Sequence, residues 1–191
     1  MSKTCADAKK ELRKQYLKMR RSMPKEKKES ASKEIYNKLL NLDAVKNAAN
    51  IMCYVSFDSE PDTHALIDRF CVNGKNLCVP LCDTKSFEIT ACRIEGLSAL
   101  RPGAYGILEP DIIKTQKPEE IDCIIIPGVV FGRNFHRIGY GKGYYDKFLP
   151  LAKNAVKIGL CYDLFLKDEV EAEEFDVPLD MIVTEKEVLL R

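Results

Sequence analysis

The segment IDCIIIP, residues 121–127, restricts the fold of this chain more than any other stretch. It is nearly all apolar, so a strand built from it would be buried on both faces. Strands of this kind lie at the centre of parallel sheets that are covered by helices. The segment therefore predicts a central parallel strand and an α/β architecture.

Helical patterns stand on both sides of the first predicted strand. Residues 6–22 place Leu12, Tyr16 and Met19 at helical spacing. A second helix is predicted from Pro24 to residues 39–42. A third, HALIDRFCV, is predicted to be capped by Thr63 and ended by Gly74.

Strand patterns alternate with these helices. They occupy residues 48–57, 76–82, 87–94 and 156–162, with a short last strand at 181–184. Residues 101–110, RPGAYGILEP, are predicted to form a loop because of their Pro and Gly content. The alternation favours one layered α/β domain over residues 1–191 with a mostly parallel sheet.

The stretch RIGYGKGYYDKFL, residues 137–149, has the composition of a ligand site. It follows the central strand and leads into a predicted helix, so it should lie at the edge of the sheet where α/β proteins bind ligands. Glycines allow close approach to an anion, a helix N-terminus favours phosphate, and Arg137 and Lys142 add positive charge. Asp146 is placed either to hold Mg²⁺ against that phosphate or merely to cap the helix.

Composition excludes several other classes. The net charge of +1 argues against a polyelectrolyte binder, and no apolar run approaches the roughly 20 residues of a membrane span. The N-terminus has no apolar signal region, which predicts a cytoplasmic protein. Eight cysteines without a CxxC pair are interpreted as free thiols rather than as a zinc site at Cys71, Cys78, Cys82 and Cys92.

An alternative interpretation of the glycine stretch is RNA binding. GYGKGYY loosely resembles the aromatic strand of an RNA-recognition motif, whose rings stack on bases. This alternative requires the stretch to be a strand, and Asp146, Lys147 and Pro150 make a poor continuation of one.

Four separated blocks together resemble the 5-formyltetrahydrofolate cyclo-ligase family. They are KKELRKQ near the N-terminus, SFDSEPDT at 56–63, the stretch from IIIPG to GYYDKFL, and FDVPLDMIVTE at 175–185. They span almost the whole chain. The resemblance implies a three-layer α/β fold related to sugar-phosphate isomerases and CoA transferases.

The resemblance also implies an ATP- and Mg²⁺-dependent reaction. The formyl oxygen of 5-formyltetrahydrofolate would take the γ-phosphoryl group, giving an iminium phosphate. The folate's own N10 would then close the ring, yielding 5,10-methenyltetrahydrofolate, ADP and phosphate. Such a protein needs to align two ligands and neutralise charge, without supplying a nucleophile.

The residues that match the family's functional positions form four groups. Arg137, Lys142 and Asp146 would act in catalysis, and Asp146 and Asp176 would hold the metal. ATP contacts are implied for Lys9, Arg13, Arg137, Ile138, Gly139, Tyr140, Gly141, Lys142, Gly143, Tyr144 and Tyr145. Folate contacts are implied for Phe57, Glu60, Asp62, Tyr105 and Tyr144.

Each of these assignments has a plainer alternative. For Lys9 and Arg13, which share a helix face, the alternative is a solvated basic surface. For the tyrosines it is packing in the core, and for Glu60 and Asp62 it is helix capping. His64 and His136 are interpreted as surface residues. The chain also departs from many family members at Gly132, Phe135, Phe165 and Phe175.

The expected partner is 5-formyltetrahydrofolate, with or without a polyglutamate tail. We expect neither nucleic acid nor a membrane as a partner, and a monomer or weak dimer. Another ATP-using folate or pterin enzyme on the same scaffold is the second enzymatic interpretation.

Overall fold

The computed structural model describes residues 5–103 and 106–191. Its helices are α1 (Cys5–Ser22), α2 (Lys25–Asn41), α3 (Asp43–Lys46), α4 (His64–Val72) and α5 (Tyr144–Phe148). The first two and α4 lie where the apolar spacing predicted them. Within the described residues, no helix combines the length and hydropathy needed to cross a bilayer.

A seven-stranded sheet forms the centre of the molecule, in the order β12-β11-β9-β6-β1-β2-β3. Its strands are β1 (Asn50–Cys53), β2 (Asn76–Asp83), β3 (Glu88–Ile94), β6 (Cys123–Ile126), β9 (Val156–Leu160), β11 (Met181–Val183) and β12 (Val188–Leu190). Only the pairs β2–β3 and β11–β12 are antiparallel. The prediction of an α/β fold with a mostly parallel sheet is confirmed.

The apolar segment at 121–127 supplies the middle strand. Strand β6 lies between β1 and β9, parallel to both, and all four of its residues are fully buried. Burying each isoleucine there stabilises the fold by about 2–3 kcal/mol relative to exposure. The contiguous apolar sequence therefore sets the position of the strand.

Smaller sheets account for most of the differences from prediction. Within the loop predicted at 101–110, β4 (Leu100–Pro102) pairs with β5 (Leu108–Pro110). A three-stranded sheet joins β7 (Val130–Gly132), β8 (Arg137–Ile138) and β10 (Leu166–Lys167). The short strand at the end of the chain was predicted as the last, which is wrong, because β12 follows it at the sheet edge.

The predicted face of α1 is only partly correct. Leu12, Tyr16 and Leu17 pack against a small apolar cluster of Val129, Val130, Ile138 and Val170. Met19 is 36% exposed and lies off this face. Arg20 is instead buried, which a purely apolar pattern does not predict.

The start of α4 also differs from the sequence prediction. The hydroxyl of Thr63 makes no capping bond; it donates to the carbonyl of Tyr54 at 2.7 Å. The carboxylate of Asp62 accepts the N–H of His64 at 3.1 Å. The capping role therefore belongs to Asp62. Gly74, at φ +72°, follows the helix as predicted.

Candidate active site

The glycine loop, residues 139–143, connects β8 to α5. Gly141 and Gly143 have φ values of +89° and +71°, a backbone conformation that favours glycine. The predicted direct passage from the central strand into a helix is wrong, because the β7–β8 hairpin intervenes. Helix α5 has only five residues, so its dipole is smaller than the sequence interpretation assumed.

Arg13 of α1 holds the glycine loop directly. Its Nε donates to the carbonyl oxygen of Gly139 at 2.7 Å. A Cβ added at Gly141 would lie 2.9 Å from the guanidinium carbon of Arg13. The lack of a side chain at Gly141 therefore lets the arginine pack against the loop.

Lys9 lies one helical turn before Arg13 and is buried rather than solvated. Its Nζ donates to Glu173 Oε2 at 2.9 Å and to Asp176. Asp176 also accepts the backbone N–H of Glu173 at 2.8 Å. The helix face predicted to bind phosphate is thus already in contact with a predicted metal ligand.

Arg137 connects Asp146 to the same late segment. It is buried, and its Nη2 donates to Asp146 Oδ1 at 3.0 Å while its Nη1 donates to the carbonyl of Val177 at 3.1 Å. Val177 directly follows Asp176, so Arg137 links the segments that carry the two predicted metal ligands. Ile138, its neighbour in β8, is 2% exposed, which leaves only its backbone for a nucleotide.

Glu60 and Tyr140 join the acidic segment at 56–63 to the glycine loop. The hydroxyl of Tyr140 donates to Glu60 Oε1 at 2.6 Å, and the N–H of Phe57 donates to Glu60 Oε2 at 2.9 Å. Burial raises the pKa of Glu60, and these two hydrogen bonds act in the opposite direction. The structure therefore brings a predicted folate contact beside the predicted nucleotide loop.

The carboxylate of Asp62 is hydrogen-bonded to residues of its own neighbourhood in the chain, Ser56 and His64. Its carboxylate bonds His64 Nδ1 at 2.6 Å and Ser56 Oγ at 3.1 Å, in addition to capping α4. The bond to His64 is the main cause that lowers the pKa of Asp62 to about 2. Its predicted folate contact stays a prediction. Tyr105, another predicted folate contact, lies outside the described residues.

Aromatic rings gather beside the glycine loop. The rings of Tyr144 and Phe87 are 5.9 Å apart, and Lys142 Nζ lies 5.4 Å from the centre of the Phe87 ring. Phe87 has φ +56°, unusual for a side chain of this size. The hydroxyl of Tyr145 is buried, and no described residue bonds it. Phe57 is 37% exposed.

Three residues of this region escaped the sequence interpretation: Arg20, Phe87 and Glu173. Arg20 follows Arg13 by seven residues, two helical turns, so its position on the same face was readable from the sequence. Phe87 and Glu173 carried no comparable signal. Phe87 lies in the turn between β2 and β3, and Glu173 lies in the loop between β10 and β11, so the fold of these two segments places them near the site.

Two departures from the family pattern have a structural account. A Cβ at Gly132 would lie 2.1 Å from Asn134 Oδ1 and 2.7 Å from the backbone nitrogen of Val170. That space is used by Asn134, which exchanges hydrogen bonds of 2.9 and 3.2 Å with the backbone of Val170. Phe135 has φ +64°, the left-handed conformation that glycine adopts more easily.

The other two departures differ in exposure. Phe165 is buried, with its ring centre 5.9 Å from that of Tyr16. Phe175 is 67% exposed.

His136, predicted to be a surface residue, is half-buried, and its Nδ1 is buried without a partner among the described residues.

The alternative of an RNA-recognition motif is wrong in its structural requirement. Residues 139–143 form a loop and residues 144–148 form α5, so the aromatic side chains do not stand on a strand. Stacking of bases on an aromatic strand face has no counterpart here.

Comparison with known proteins agrees with this geometry. Residues 5–185 match the model of the 5-formyltetrahydrofolate cyclo-ligase family. This chain belongs to that family. A cyclo-ligase of Haemophilus influenzae is 29% identical, with 91% of this chain and 96% of that protein covered. A probable cyclo-ligase of Schizosaccharomyces pombe is 30% identical over 84% of this chain and 87% of that protein.

Solved structures of cyclo-ligase relatives share the fold. The 5,10-methenyltetrahydrofolate synthetase of Aquifex aeolicus superposes with a TM-score of 0.85 at 32% identity, covering 95% of this chain and 92% of that one. The corresponding synthetase of Mycoplasma pneumoniae gives a TM-score of 0.76 at 28% identity, covering 93% and 98%.

The cyclo-ligase site has carboxylates suited to a hard divalent cation. Asp146 and Asp176 supply the oxygen ligands that Mg²⁺ prefers, and Arg137 ties their two segments together. Within the described part of the chain, Asp146 is bonded through Oδ1 alone, which leaves Oδ2 for a cation. The described residues contain no group of three or more His, Cys, Asp or Glu side chains that could hold a metal ion, so the match to the metal that the family implies consists of these two carboxylates.

Proposed function

We propose that this cyclo-ligase family member converts 5-formyltetrahydrofolate to 5,10-methenyltetrahydrofolate, with ATP as the co-substrate and Mg²⁺ as the metal. The products are the methenyl compound, ADP and phosphate, formed through a phosphorylated formyl group. The observation that carries the proposal is the contact network of the glycine loop, which touches the basic face of α1 on one side and Glu60 on the other.

The basic residues serve the nucleotide. Arg13 lies against Gly139 and Gly141, and the exposed Lys142 lies in the same loop. Phosphoryl transfer requires alignment of the two ligands and positive charge around the transferred group. Lys9 is bound to Glu173 and Asp176, so its contact with phosphate would require exchange of these partners.

The metal would be held by Asp146 and Asp176. When bound, it supplies charge neutralisation at the phosphate oxygens. Arg137 keeps Asp146 in place through its buried guanidinium and contributes a second positive charge beside that carboxylate. The chain would thus contribute two carboxylates, each held by a buried cation, and a loop whose backbone can approach an anion closely.

The folate would lie on the side of the loop that faces Glu60. A carboxylate accepts the N–H donors of a pterin ring, and the rings of Phe57, whose N–H bonds that carboxylate, and of Tyr144 would offer flat apolar surfaces to it. The formyl oxygen takes the γ-phosphoryl group, which turns it into a good leaving group. Attack by N10 of the folate then forms the new C–N bond and expels phosphate.

A direct product assay tests this function. Purified protein is mixed with MgATP and 5-formyltetrahydrofolate, and the near-ultraviolet absorbance of 5,10-methenyltetrahydrofolate is followed. We expect growth of that band only when ATP is present. A folded protein that binds MgATP without producing the band would favour the second interpretation, another ATP-using folate or pterin enzyme.

A further inference from the structure

Arg20 is a buried cation with an unusual set of partners. Its side chain, at 2% exposure, is the largest by volume among the fully buried side chains of the described residues. Nη1 donates to the carbonyl of Gly128 at 2.7 Å, Nε to Ser59 Oγ at 3.2 Å, and Nη2 to the hydroxyl of Tyr140 at 2.6 Å. No carboxylate of the described residues forms an ion pair with it, and its hydrogen-bonded link to the Glu60 carboxylate runs through the Tyr140 hydroxyl.

The direction of the hydrogen bonds at Tyr140 is fixed by its two neighbours. An arginine can only donate and an ionised carboxylate can only accept. The Tyr140 hydroxyl therefore accepts from Arg20 and donates to Glu60 Oε1, both at 2.6 Å. Burial raises the pKa of the Tyr140 phenol, which keeps the proton that this arrangement needs.

Glu60 is consequently held at both oxygens. Tyr140 binds Oε1 and the N–H of Phe57 binds Oε2, so the plane of the carboxylate is set by two separate segments. Burial raises the pKa of Glu60, and the bonds from Tyr140 and Phe57 and the charge of Arg20 counteract this effect. Burial is the larger effect, so the pKa of Glu60 is raised overall, and the two donors and the nearby cation limit that rise.

We propose that Tyr140 and Arg20 are positioning residues for the folate, because they orient the Glu60 carboxylate toward the N–H donors of the pterin ring. This inference rests on the proposed function. It assigns the side chain of Tyr140 to the folate, although the residue lies in the predicted nucleotide loop. Selectivity for a ring with N–H donors follows, since the acceptor sites that Tyr140 and Phe57 leave on the two oxygens can bond only to a donor.

The test removes the Tyr140 hydroxyl and leaves its ring. Tyr140→Phe is expected to weaken 5-formyltetrahydrofolate binding about tenfold, measured by calorimetry, and to raise its KM similarly, because Glu60 loses a fixed donor. The KM for ATP should change less than about twofold. In a Glu60→Gln background the same substitution should have little further effect, since its action passes through that carboxylate.

Tyr162→Phe is the matched control. The Tyr162 hydroxyl donates to the backbone carbonyl of Glu60 at 3.1 Å, so this variant loses a hydroxyl next to the same residue without touching its carboxylate. Its folate affinity should stay within about twofold of wild type. Circular dichroism and thermal melting verify that all variants are folded.

The outcomes separate the two proposals. If wild-type protein does not bind 5-formyltetrahydrofolate, the proposed function fails, and the positioning inference fails with it. If wild type binds and turns over the folate but Tyr140→Phe has unchanged folate affinity, only the positioning inference is overturned. A rise in the KM for ATP alone, or equal losses with and without the Glu60 carboxylate, also overturns it.

Discussion

At the residue scale, Asp146 is the side chain on which the proposed chemistry depends most. Its carboxylate is bonded by the buried Arg137 and lies next to the glycine loop. Asp146→Asn keeps the shape of the side chain but removes its negative charge. We expect turnover to fall by about 10²- to 10³-fold, because a metal ion beside the phosphate loses an anionic ligand.

The measurement for Asp146→Asn is kcat at saturating ATP and folate, together with the melting temperature. Asp68→Asn, an exposed carboxylate on α4, is the control and should retain normal turnover. A near-normal rate for Asp146→Asn across Mg²⁺ concentrations would remove this residue from the metal site.

The three glycines of the loop allow a graded experiment. A Cβ added at Gly139 meets open space, and φ there is ordinary. A Cβ at Gly143 also meets open space, but φ is +71°. A Cβ at Gly141 lies 2.9 Å from the guanidinium carbon of Arg13, and φ is +89°. We expect the KM for ATP to rise least in Gly139→Ala, more in Gly143→Ala and most in Gly141→Ala. Equal effects from the three variants would contradict the role of Arg13.

At the element scale, the β7–β8 hairpin depends on the missing side chain at Gly132. We expect Gly132→Ala to lower the free energy of unfolding by about 1–3 kcal/mol, since its Cβ would collide with Asn134 and with the backbone of Val170. Urea denaturation measures this. In an Asn134→Ala background the loss should be smaller; an unchanged loss would place the conflict at Val170 alone.

The start of α4 should make stability depend on pH. The bond to Asp62 raises the pKa of His64 above its usual 6.5, and the same bond, opposed by burial, lowers the pKa of Asp62 from 3.8 to about 2. The stabilisation from His64 is fully present below 6.5 and lost as pH rises through its raised pKa. That from Asp62 is present above 3.8 and lost as pH falls toward 2.

His64→Gln tests this pH window. The difference in melting temperature from wild type should be larger at about pH 5.5 than at about pH 8.5. The corresponding change in the free energy of unfolding should be under about 1 kcal/mol, because both side chains are partly exposed. His136→Gln is the control, and an equal pH dependence in that variant would contradict the assignment to the Asp62–His64 pair.

At the scale of the whole molecule, α1 brings together segments that are distant in the chain. Lys9 contacts the segment at 173–176, Arg13 contacts the glycine loop, and Arg20 contacts Ser59 and Gly128. A site assembled in this way exists only in the folded state. Ligands that bind it therefore stabilise the fold as a whole.

Thermal melting with each ligand tests this assembly. At about 100 times Kd, MgATP and 5-formyltetrahydrofolate should each raise the melting temperature by roughly 5 °C or more. Lys9→Ala should reduce the shift caused by MgATP and leave the shift caused by the folate. Equal reductions of both shifts would indicate that α1 has been loosened rather than a phosphate contact removed.

The sequence by itself determined the elements and the chemistry that they carry. Apolar runs and helical spacing depend on neighbours in the chain, so the central strand β6, the helices α1, α2 and α4, and the α/β class were predictable. The glycine loop was recognisable because glycine, lysine and aspartate act there through their own backbone freedom and charge. Resemblance to the family supplied the candidate residues.

Only the tertiary structure decided the pairings. The ion pairs of Lys9 join residues 164 and 167 positions apart, and the bond from Tyr140 to Glu60 spans 80 positions. The burial of Arg20, the space at Gly132 and the hairpin before the glycine loop depend on which distant segments fold against one another. Local sequence patterns do not predict such contacts. The energy of these contacts comes from burial and from hydrogen bonds that form only when the whole chain is packed.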